Sequence, residues 1–383
     1  MSQTRPRTDA STTIPTTTPS RRVPHRPAEG TLTTTSGVLL LVAVLSGALL
    51  AGCTSTPSEE GKGTLVIFHH GSPTPGIEAA EKEFEKTHPG VKVMREKGGA
   101  LENMRKVTDL GRHADVVYTD DYSIIPPVMF PDDANFWIRY AHDEMTLAYG
   151  SNSKYANEVT ADNWYEILQR PDVKWGIADP NAGPDGYFSV GQIALSNAKY
   201  GDDMIFHDLL EENTAIRMTT NGGQMTISCP EDLKPKTSKV VVAEDPETLY
   251  PMILAGDIDY AFGYMGSVIG EGPDGIKTVD LPKEVDLSDL SLVKSTYNKI
   301  TMVMFSDSSE RKLTVTLGAK ANGLTIPSNA DHSDYAVDYL KIFFGPIGDT
   351  ALQNVAIQPL SPPETNDLTK VPADLRGSLK QGE

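Results

Sequence analysis

The stretch Asp179-Pro-Asn-Ala-Gly-Pro-Asp-Gly-Tyr187 separates a short apolar run at residues 174–178 from a segment at residues 188–200. The apolar run predicts a buried strand and the later segment predicts a helix, so the turn brings a helix start to a strand end. Unpaired N–H groups at a helix start carry partial positive charge and suit an anion. Pro184 fits a first helical turn, and Gly186 allows a ligand to approach the backbone closely. An ordinary strand-to-helix connection explains the same pattern.

Strand and helix patterns alternate on both sides of this stretch. Strands are predicted at residues 64–69, 91–94, 114–119, 146–149 and 258–264, and helices at residues 77–86 and 101–110. This alternation is typical of a parallel, doubly wound α/β sheet. The strand at 258–264 is expected to return toward the first domain. Loops at the carboxyl ends of such strands bind ligands, and here they present Ser72, residues 98–100 and residues 119–122.

The chain has 383 residues, of which 39% are hydrophobic and 22% are charged, and this composition is typical of about two globular domains. The N-terminal region has a different pattern. Arg21, Arg22 and Arg26 lie shortly before an apolar run at residues 37–51. Its roughly 15 residues fall short of the ~20 that a spanning helix needs. The pattern predicts a cleaved secretory signal, with an uncleaved membrane anchor as the alternative.

The charge of the chain restricts its partners. The net charge is −18, and removal of residues 1–52, which hold five Arg, one Asp and one Glu, leaves −21 on 331 residues. So acidic a body excludes nucleic acid as a partner, because phosphates need basic side chains. If the ligand is an anion, positive or hydrogen-bond-donating groups in the site must outweigh the repulsion from this negative net charge. With Cys53 at the start of the mature chain, Cys229 has no partner for an intramolecular disulfide.

Several motifs carry a family resemblance. Leu50-Ala-Gly-Cys53 resembles the lipobox of secreted lipoproteins, in which the cysteine carries lipid. Over about residues 64–362 the chain resembles the archaeal-type tungstate/molybdate-binding lipoproteins of ABC transporters. The motifs are Phe68-His-His-Gly-Ser72, Ala114-Asp-Val to Asp121-Tyr122, Asn163-Trp-Tyr-Glu-Ile-Leu-Gln-Arg-Pro-Asp-Val173, Pro180-Asn181 to Gly186-Tyr187, Ala255-Gly-Asp-Ile-Asp-Tyr260 and Leu324-Thr-Ile-Pro-Ser-Asn-Ala330.

This resemblance implies an α/β fold of two doubly wound Rossmann-like lobes joined by a hinge, as in type II periplasmic binding proteins. The expected divisions are a signal peptide at 1–52, a tether at 53–63, lobe I at 64–149, lobe II at 150–262, and a return to lobe I with a C-terminal tail at 263–383. The implied protein is a monomer, held at the extracellular face of the membrane by lipid on Cys53. It would pass tungstate or molybdate to an ABC permease and ATPase, without catalysis or cofactor.

The resemblance also implies site residues. Ser72 matches a serine that donates to the oxyanion, and Ala100 stands where the family has a second serine. The two carboxylate positions of the family match Gly183 and Asp257, and Asp185 lies two positions after Gly183. Asp185 and Asp257 are therefore the possible ligands of tungsten or molybdenum, which can accept carboxylate oxygens whereas the sulfur of sulfate cannot. Gly186, Tyr187 and Tyr264 complete the expected oxyanion site.

Other interpretations remain open at this point. The same fold could bind sulfate or phosphate, the cleft could have lost its ligand, or Asp185 and Asp257 could form the acid/base pair of a secreted hydrolase. Asp257 also fits a solvated loop, and Asp185 fits a residue that stabilises a helix start. His69 and His70 are adjacent in a strand and point to opposite faces, so core packing for one and loop bonding for the other are favoured over a metal-ion site.

Overall fold

The computed structural model describes residues 63–244 and 246–382. The predicted signal peptide, Cys53 and the tether up to residue 62 lie outside the described residues. Within them, none of the helices combines the length and the apolar character that crossing a membrane requires.

The first sheet contains seven strands from both ends of the described chain. In spatial order they are β16 (Lys380–Gln381), β15 (Gln358–Thr365), β4 (Ile138–His142), β14 (Ala321–Thr325), β3 (Val116–Thr119), β1 (Thr64–His69) and β2 (Lys92–Lys97). β1 pairs in parallel with both β2 and β3, which confirms the three predicted strands. β14 joins β3 and β4 antiparallel, so the sheet is mixed where a fully parallel one was predicted.

The second sheet has five strands. In spatial order they are β11 (Ile276–Val279), β5 (Met145–Gly150), β10 (Tyr260–Tyr264), β6 (Trp175–Ala178) and β9 (Val240–Ala243). β6 pairs in parallel with β9 and β10, and β5 runs antiparallel to β10. β10 pairs with β5, whose residues were predicted to belong to lobe I, and with β6, which was predicted to belong to lobe II, so its return toward the first domain stays a prediction. The chain leaves the first sheet between residues 142 and 145, whereas the predicted lobe boundaries lay after residues 149 and 262.

A third sheet, of four strands, was not predicted. Its order is β13 (Leu313–Thr316), β12 (Ile300–Met304), β8 (Gln224–Ser228) and β7 (Arg217–Asn221). β7 is largely exposed and Met218 is its one apolar residue, so it lacks the apolar alternation that identifies a strand. The chain returns from this sheet to the first one between residues 316 and 321.

Ten α-helices connect these strands in the described residues. They are α1 (Thr74–Thr87), α2 (Ala100–Thr108), α3 (Ile125–Met129), α4 (Trp164–Gln169), α5 (Pro184–Tyr200), α6 (Leu249–Ala255), α7 (Met265–Glu271), α8 (Lys283–Asp286), α9 (Ser333–Phe343) and α10 (Pro346–Gln353). α5 begins four residues before its predicted start, because Pro184 already has the backbone angle of a first turn. It ends at Gly201, which adopts the left-handed conformation (φ 68°).

Large apolar side chains anchor the two main sheets to their helices. Phe84 of α1 and Phe343 of α9 are buried against the first sheet. Trp164 of α4 and Trp175 of β6 pack on Phe262 in the core of the second sheet, with ring centroids 5.5 and 5.7 Å from it. Each such burial contributes roughly 1.5–3 kcal/mol, so the strand ends that these cores hold are fixed positions for a site.

Candidate functional site

Two helix-starting loops meet face to face. Ala100 begins α2 after Gly99, and Gly183 immediately precedes α5. A Cβ atom on Gly99 would lie 3.0 Å from the carbonyl oxygen of Ala182, and one on Gly183 would lie 3.5 Å from the amide nitrogen of Ala100. The structure therefore brings Ala100 and Gly183, both expected site residues, to one place. This contact joins the start of α2, which lies between strands β2 and β3 of the first sheet, to the start of α5, which follows strand β6 of the second sheet.

Gly186 shapes the turn at the start of α5. Its N–H donates to the carbonyl oxygen of Gly183 (3.2 Å), so it is satisfied within the turn. A Cβ atom at this position would lie 2.3 Å from the amide nitrogen of Pro180. We infer that Gly186 serves close packing of the loop, and that it is not itself an anion donor.

Three buried polar side chains converge at strand ends. His70 follows β1, Asp120 follows β3 and Tyr264 ends β10. Among the described residues, His70 Nε2, both carboxylate oxygens of Asp120 and the Tyr264 hydroxyl have no partner at ordinary hydrogen-bond geometry. Asp185 and Tyr264 nevertheless lie close enough to Asp120 for weak hydrogen bonding that lowers its pKa. Asp120 acts electrostatically on the pKa of both His70 and Tyr264, so the three groups share one space. Because buried polar groups are nearly always satisfied, this cluster marks a place for a bound polar molecule.

Ser72 and His70 form a linked pair in this cluster. The Ser72 hydroxyl lies 3.3 Å from His70 Nδ1, and both residues are buried. Burial lowers the pKa of His70 to about 3, so the imidazole is neutral. If Nδ1 accepts from Ser72, Nε2 carries the hydrogen and becomes a donor toward the cluster. His69 instead places Nδ1 2.8 Å from the carbonyl oxygen of His70. His70, for which the sequence favours core packing or loop bonding, is thus a candidate site residue that its sequence position does not indicate.

Asp120 and Asp185 are an acidic pair with opposite pKa shifts. Burial, followed by the negative charge of Asp120, raises the pKa of Asp185 well above its usual range. Burial opposes ionisation of Asp120, but His70, hydrogen bonding from Asp185, Lys320 and hydrogen bonding from Tyr264 together lower its pKa. Asp185 is therefore the member of the pair that takes up a proton more readily.

Lys320 supplies a buried positive charge at the base of the cluster. Its side chain has no exposed surface and its Nζ lies 4.1 Å from the ring centroid of Tyr264. Nζ also lies 3.9 Å from Asp143 Oδ2 and bonds to the side-chain oxygen of Asn322. Burial raises the pKa of Asp143 to about 6, although Lys320 opposes this. Asp143 and Lys320 stand at the two crossings between the first sheet and the others.

A cavity of about 400 Å³ opens beside the cluster. His70 and Asp185 lie in its wall, together with Lys97 and Glu247. Glu247 accepts a hydrogen bond from Ser267 Oγ (3.1 Å) and lies 3.7 Å from Lys97 Nζ. The full lining is His70, Gly71, Lys97, Gly98, Gly99, Glu102, Asp185, Glu244, Pro246 and Glu247.

Glu247, and not Asp257, is the carboxylate that α6 brings to the cavity. Asp257 lies just beyond the opposite end of α6, is exposed and is not part of the cavity wall. The structure therefore does not support Asp257 as a site residue or a metal ligand. Glu247 lies two residues before α6, and an acidic residue near a helix start is an ordinary stabilising feature, so nothing in the sequence singles it out.

Tyr187 connects the two sides of the site. Its hydroxyl donates to Asp121 Oδ2 at 2.6 Å, and both residues are buried. Tyr187 lies in the first turn of α5, whereas Asp121 follows β3 of the first sheet. The engaged hydroxyl gives the side chain of Tyr187 a positioning role, and the expected part of Tyr187 in oxyanion binding stays a prediction.

We expect Tyr187→Phe to destabilise the protein by about 2 kcal/mol, because it leaves the buried Asp121 carboxylate without this donor. Urea denaturation measures the change. Tyr165→Phe is the matched control: its hydroxyl makes a 3.4 Å exposed contact with Glu166, so its loss should cost less than ~0.5 kcal/mol. Equal stability of the two variants would contradict a connecting role for Tyr187.

Comparison with known families gives one broad match. The model of the family described as bacterial extracellular solute-binding protein matches residues 65–353. A protein of Thermococcus kodakarensis named molybdate/tungstate-binding protein is 33% identical over 361 residues, which cover 91% of this chain and 97% of that protein. An uncharacterized solute-binding protein of Methanoculleus marisnigri is 34% identical over 340 residues, covering 86% of this chain and 93% of that protein.

A solved structure shares the fold. The sulfate-binding protein of Mycobacterium tuberculosis superposes with a TM-score of 0.52 over 78% of this chain and 88% of that one, at 14% sequence identity. At this identity the likeness concerns the fold alone. It agrees with the α/β architecture.

Proposed function

Since the chain belongs to the bacterial extracellular solute-binding proteins, we propose that it captures tungstate or molybdate for an ABC importer. The observation that carries this proposal is the buried cluster of His70, Asp120 and Tyr264, which includes polar atoms without a partner at ordinary hydrogen-bond geometry among the described residues. Two relatives that align with most of the chain are named molybdate/tungstate-binding proteins, which supports these ions as the ligands. Sulfate and phosphate are the alternatives.

In this proposal the oxyanion sits between the sheets. Ser72 and His70 contribute donors from the first sheet, and Tyr264 contributes one from the second. Ala100, Gly183 and Gly186 keep the loops close enough to exclude bulk water, and Asp185 and Tyr187 position the start of α5. Lys320 offsets part of the negative charge. Such an arrangement needs no bond to be made or broken, as expected of a binding protein rather than an enzyme.

We further propose that the first sheet forms one lobe and the second and third sheets the other. The two crossings at residues 142–145 and 316–321 then form the hinge. Contacts between the lobes, such as Tyr187 with Asp121, exist only when the lobes are closed, so a ligand that adds contacts from both sides favours closure. Lipid on Cys53 would hold the monomer at the extracellular face of the membrane, close to its permease and ATPase.

Calorimetric titration with tungstate, molybdate, sulfate and phosphate tests the proposal. We expect one ion per chain, with tungstate and molybdate bound more tightly than sulfate. At a free concentration of about 100 times Kd, the ion should stabilise the folded protein by about 2.7 kcal/mol, measurable as a raised Tm. Sulfate binding as tight as tungstate binding would discard the metal oxyanions as preferred ligands. No stabilisation by any of the four ions would contradict oxyanion capture altogether.

A further inference from the structure

A histidine and two carboxylates share one face of a short π-helical turn, His207–Glu211, which follows α5. The Glu212 N–H donates to the carbonyl oxygen of His207 (3.0 Å), so side chains five positions apart come together, whereas an α-helix aligns those three or four apart. One ring nitrogen of His207, one carboxylate oxygen of Asp208 and one of Glu212 lie within 4.8 Å of one another. None of these three residues lines the cavity of the oxyanion site. They form a separate cluster of metal-ligating atoms.

Glu211 and β7 hold the His207 ring in the orientation that a metal ligand requires. The ring places Nδ1 3.1 Å from Glu211 Oε2, and the other oxygen of this carboxylate accepts from the Met218 N–H (2.9 Å). When Nδ1–H donates to Glu211, Nε2 carries the lone pair, and Nε2 lies 3.7 Å from Glu212 Oε1. A carboxylate behind the second ring nitrogen is the usual support of a metal-bound histidine. Glu211 therefore stands in the place of that support.

The two carboxylates of the cluster are not neutralised by basic side chains. In the part of the chain that the structure describes, neither Asp208 nor Glu212 has a Lys or Arg nitrogen within 4.0 Å. The nearby Arg217 and Lys236 donate to backbone carbonyl oxygens instead. Residues 202–212 hold five acidic residues and no Lys or Arg. The negative field of this segment therefore attracts a cation to the cluster.

We propose that His207, Asp208 and Glu212 bind a divalent transition-metal ion, represented by Zn²⁺, at a site separate from the oxyanion cavity. One imidazole nitrogen with two carboxylate oxygens suits Zn²⁺, whereas Mg²⁺ and Ca²⁺ prefer oxygen ligands alone. At bonds of about 2.0–2.2 Å, two ligand atoms on one zinc ion lie about 3–3.6 Å apart. The Glu212 side chain is 62% exposed and closes the remaining distance by rotation, and water completes the coordination. Gln169 Nε2 of α4 donates to Asp208 Oδ2 (3.3 Å), so the ion also ties this turn to α4.

Equilibrium dialysis of the untagged full chain against Zn²⁺ at about pH 7.5 tests the site. Every sample carries Cys53→Ser, because a free thiol binds zinc on its own. We expect one tightly bound ion per chain. His207→Ala removes the nitrogen ligand and should weaken this binding about 100-fold, and Glu212→Gln should weaken it about tenfold, since even groups that only support metal ligands contribute about 10–100-fold. Both side chains are at least 43% exposed, so both variants should fold.

His113→Ala is the matched control, because His113 Nδ1 lies 3.0 Å from Asp331 Oδ2 on the surface but belongs to no three-ligand cluster among the described residues. It should keep the zinc affinity of the unchanged protein. Zinc should also raise the Tm of the unchanged protein and of His113→Ala, but not that of His207→Ala. Equal zinc affinity in His207→Ala and His113→Ala would overturn the proposal, as would displacement of zinc by an equal concentration of Mg²⁺. Tungstate affinity should be the same in His207→Ala as in the unchanged protein, and a loss matching that of zinc would contradict a separate site.

Discussion

Replacing Gly186 by alanine is expected to destabilise the folded protein by about 3 kcal/mol and to abolish oxyanion binding. The new Cβ atom would lie 2.3 Å from the amide nitrogen of Pro180 and 2.4 Å from the carbonyl carbon of Asp179. Both are backbone atoms, so no side-chain rotation relieves the overlap. The loop cannot withdraw easily, because the Asp179 N–H donates to Ala243 (2.7 Å) and the Ala182 N–H donates to Asp179 (2.9 Å).

Gly318→Ala is the control for Gly186→Ala. A Cβ atom on Gly318 meets nothing within 4 Å, and its φ lies outside the left-handed region. Its stability should change by less than ~0.5 kcal/mol. Urea denaturation of both variants gives the free energies, and calorimetry gives the binding. If Gly186→Ala kept the stability of the unchanged protein, the turn before α5 would be far more adaptable than its contacts indicate.

The sequence predicted well those features that depend on neighbouring residues. The strand at 64–69 has the predicted bounds, and the helix predicted at 77–86 lies within α1, Thr74–Thr87. Both depend on local periodicity and on Pro and Gly at their ends. Strand pairing could not be obtained in this way, because β10 contacts β5 across more than a hundred intervening residues. The pattern of β10 is the same whichever sheet it joins.

The candidate site shows the same division. Ser72, Asp185 and Tyr264 lie at or near the cluster, as strand-end position and family resemblance together predicted. His70 was considered only as a possible metal ligand and Asp120 only as part of the loop at residues 119–122, because a buried polar group cannot be told from a solvated one in sequence. Asp257 matched a motif position, yet α6 places it at the exposed end of the helix, and Glu247 reaches the cavity. Burial and direction of a side chain, which decide its role, are properties of the packed chain.

Replacing Lys320 by methionine is expected to destabilise the protein by about 3–5 kcal/mol at pH 7.5, because it removes the cation from a fully buried pair. Lys320 Nζ and Asp143 Oδ2 lie 3.9 Å apart, and neither side chain is exposed. Methionine has a similar length and no charge, so Asp143 would remain ionised without compensation, or be protonated at a cost in free energy. Urea denaturation measures the loss, which the double variant Lys320→Met, Asp143→Asn should largely restore.

The dependence of this loss on pH identifies its cause. Burial raises the folded-state pKa of Asp143 to about 6 from a usual value of 3.8. Below pH 6 the folded protein holds Asp143 neutral and the charge pair is absent, so the cost of Lys320→Met should be smaller at pH 5 than at pH 7.5. Lys341→Met, which breaks an exposed pair with Asp338 (3.0 Å), should cost less than ~0.5 kcal/mol at either pH. A Lys320→Met loss that stayed constant between these pH values would mean that lost packing, and not the unpaired carboxylate, destabilises the protein.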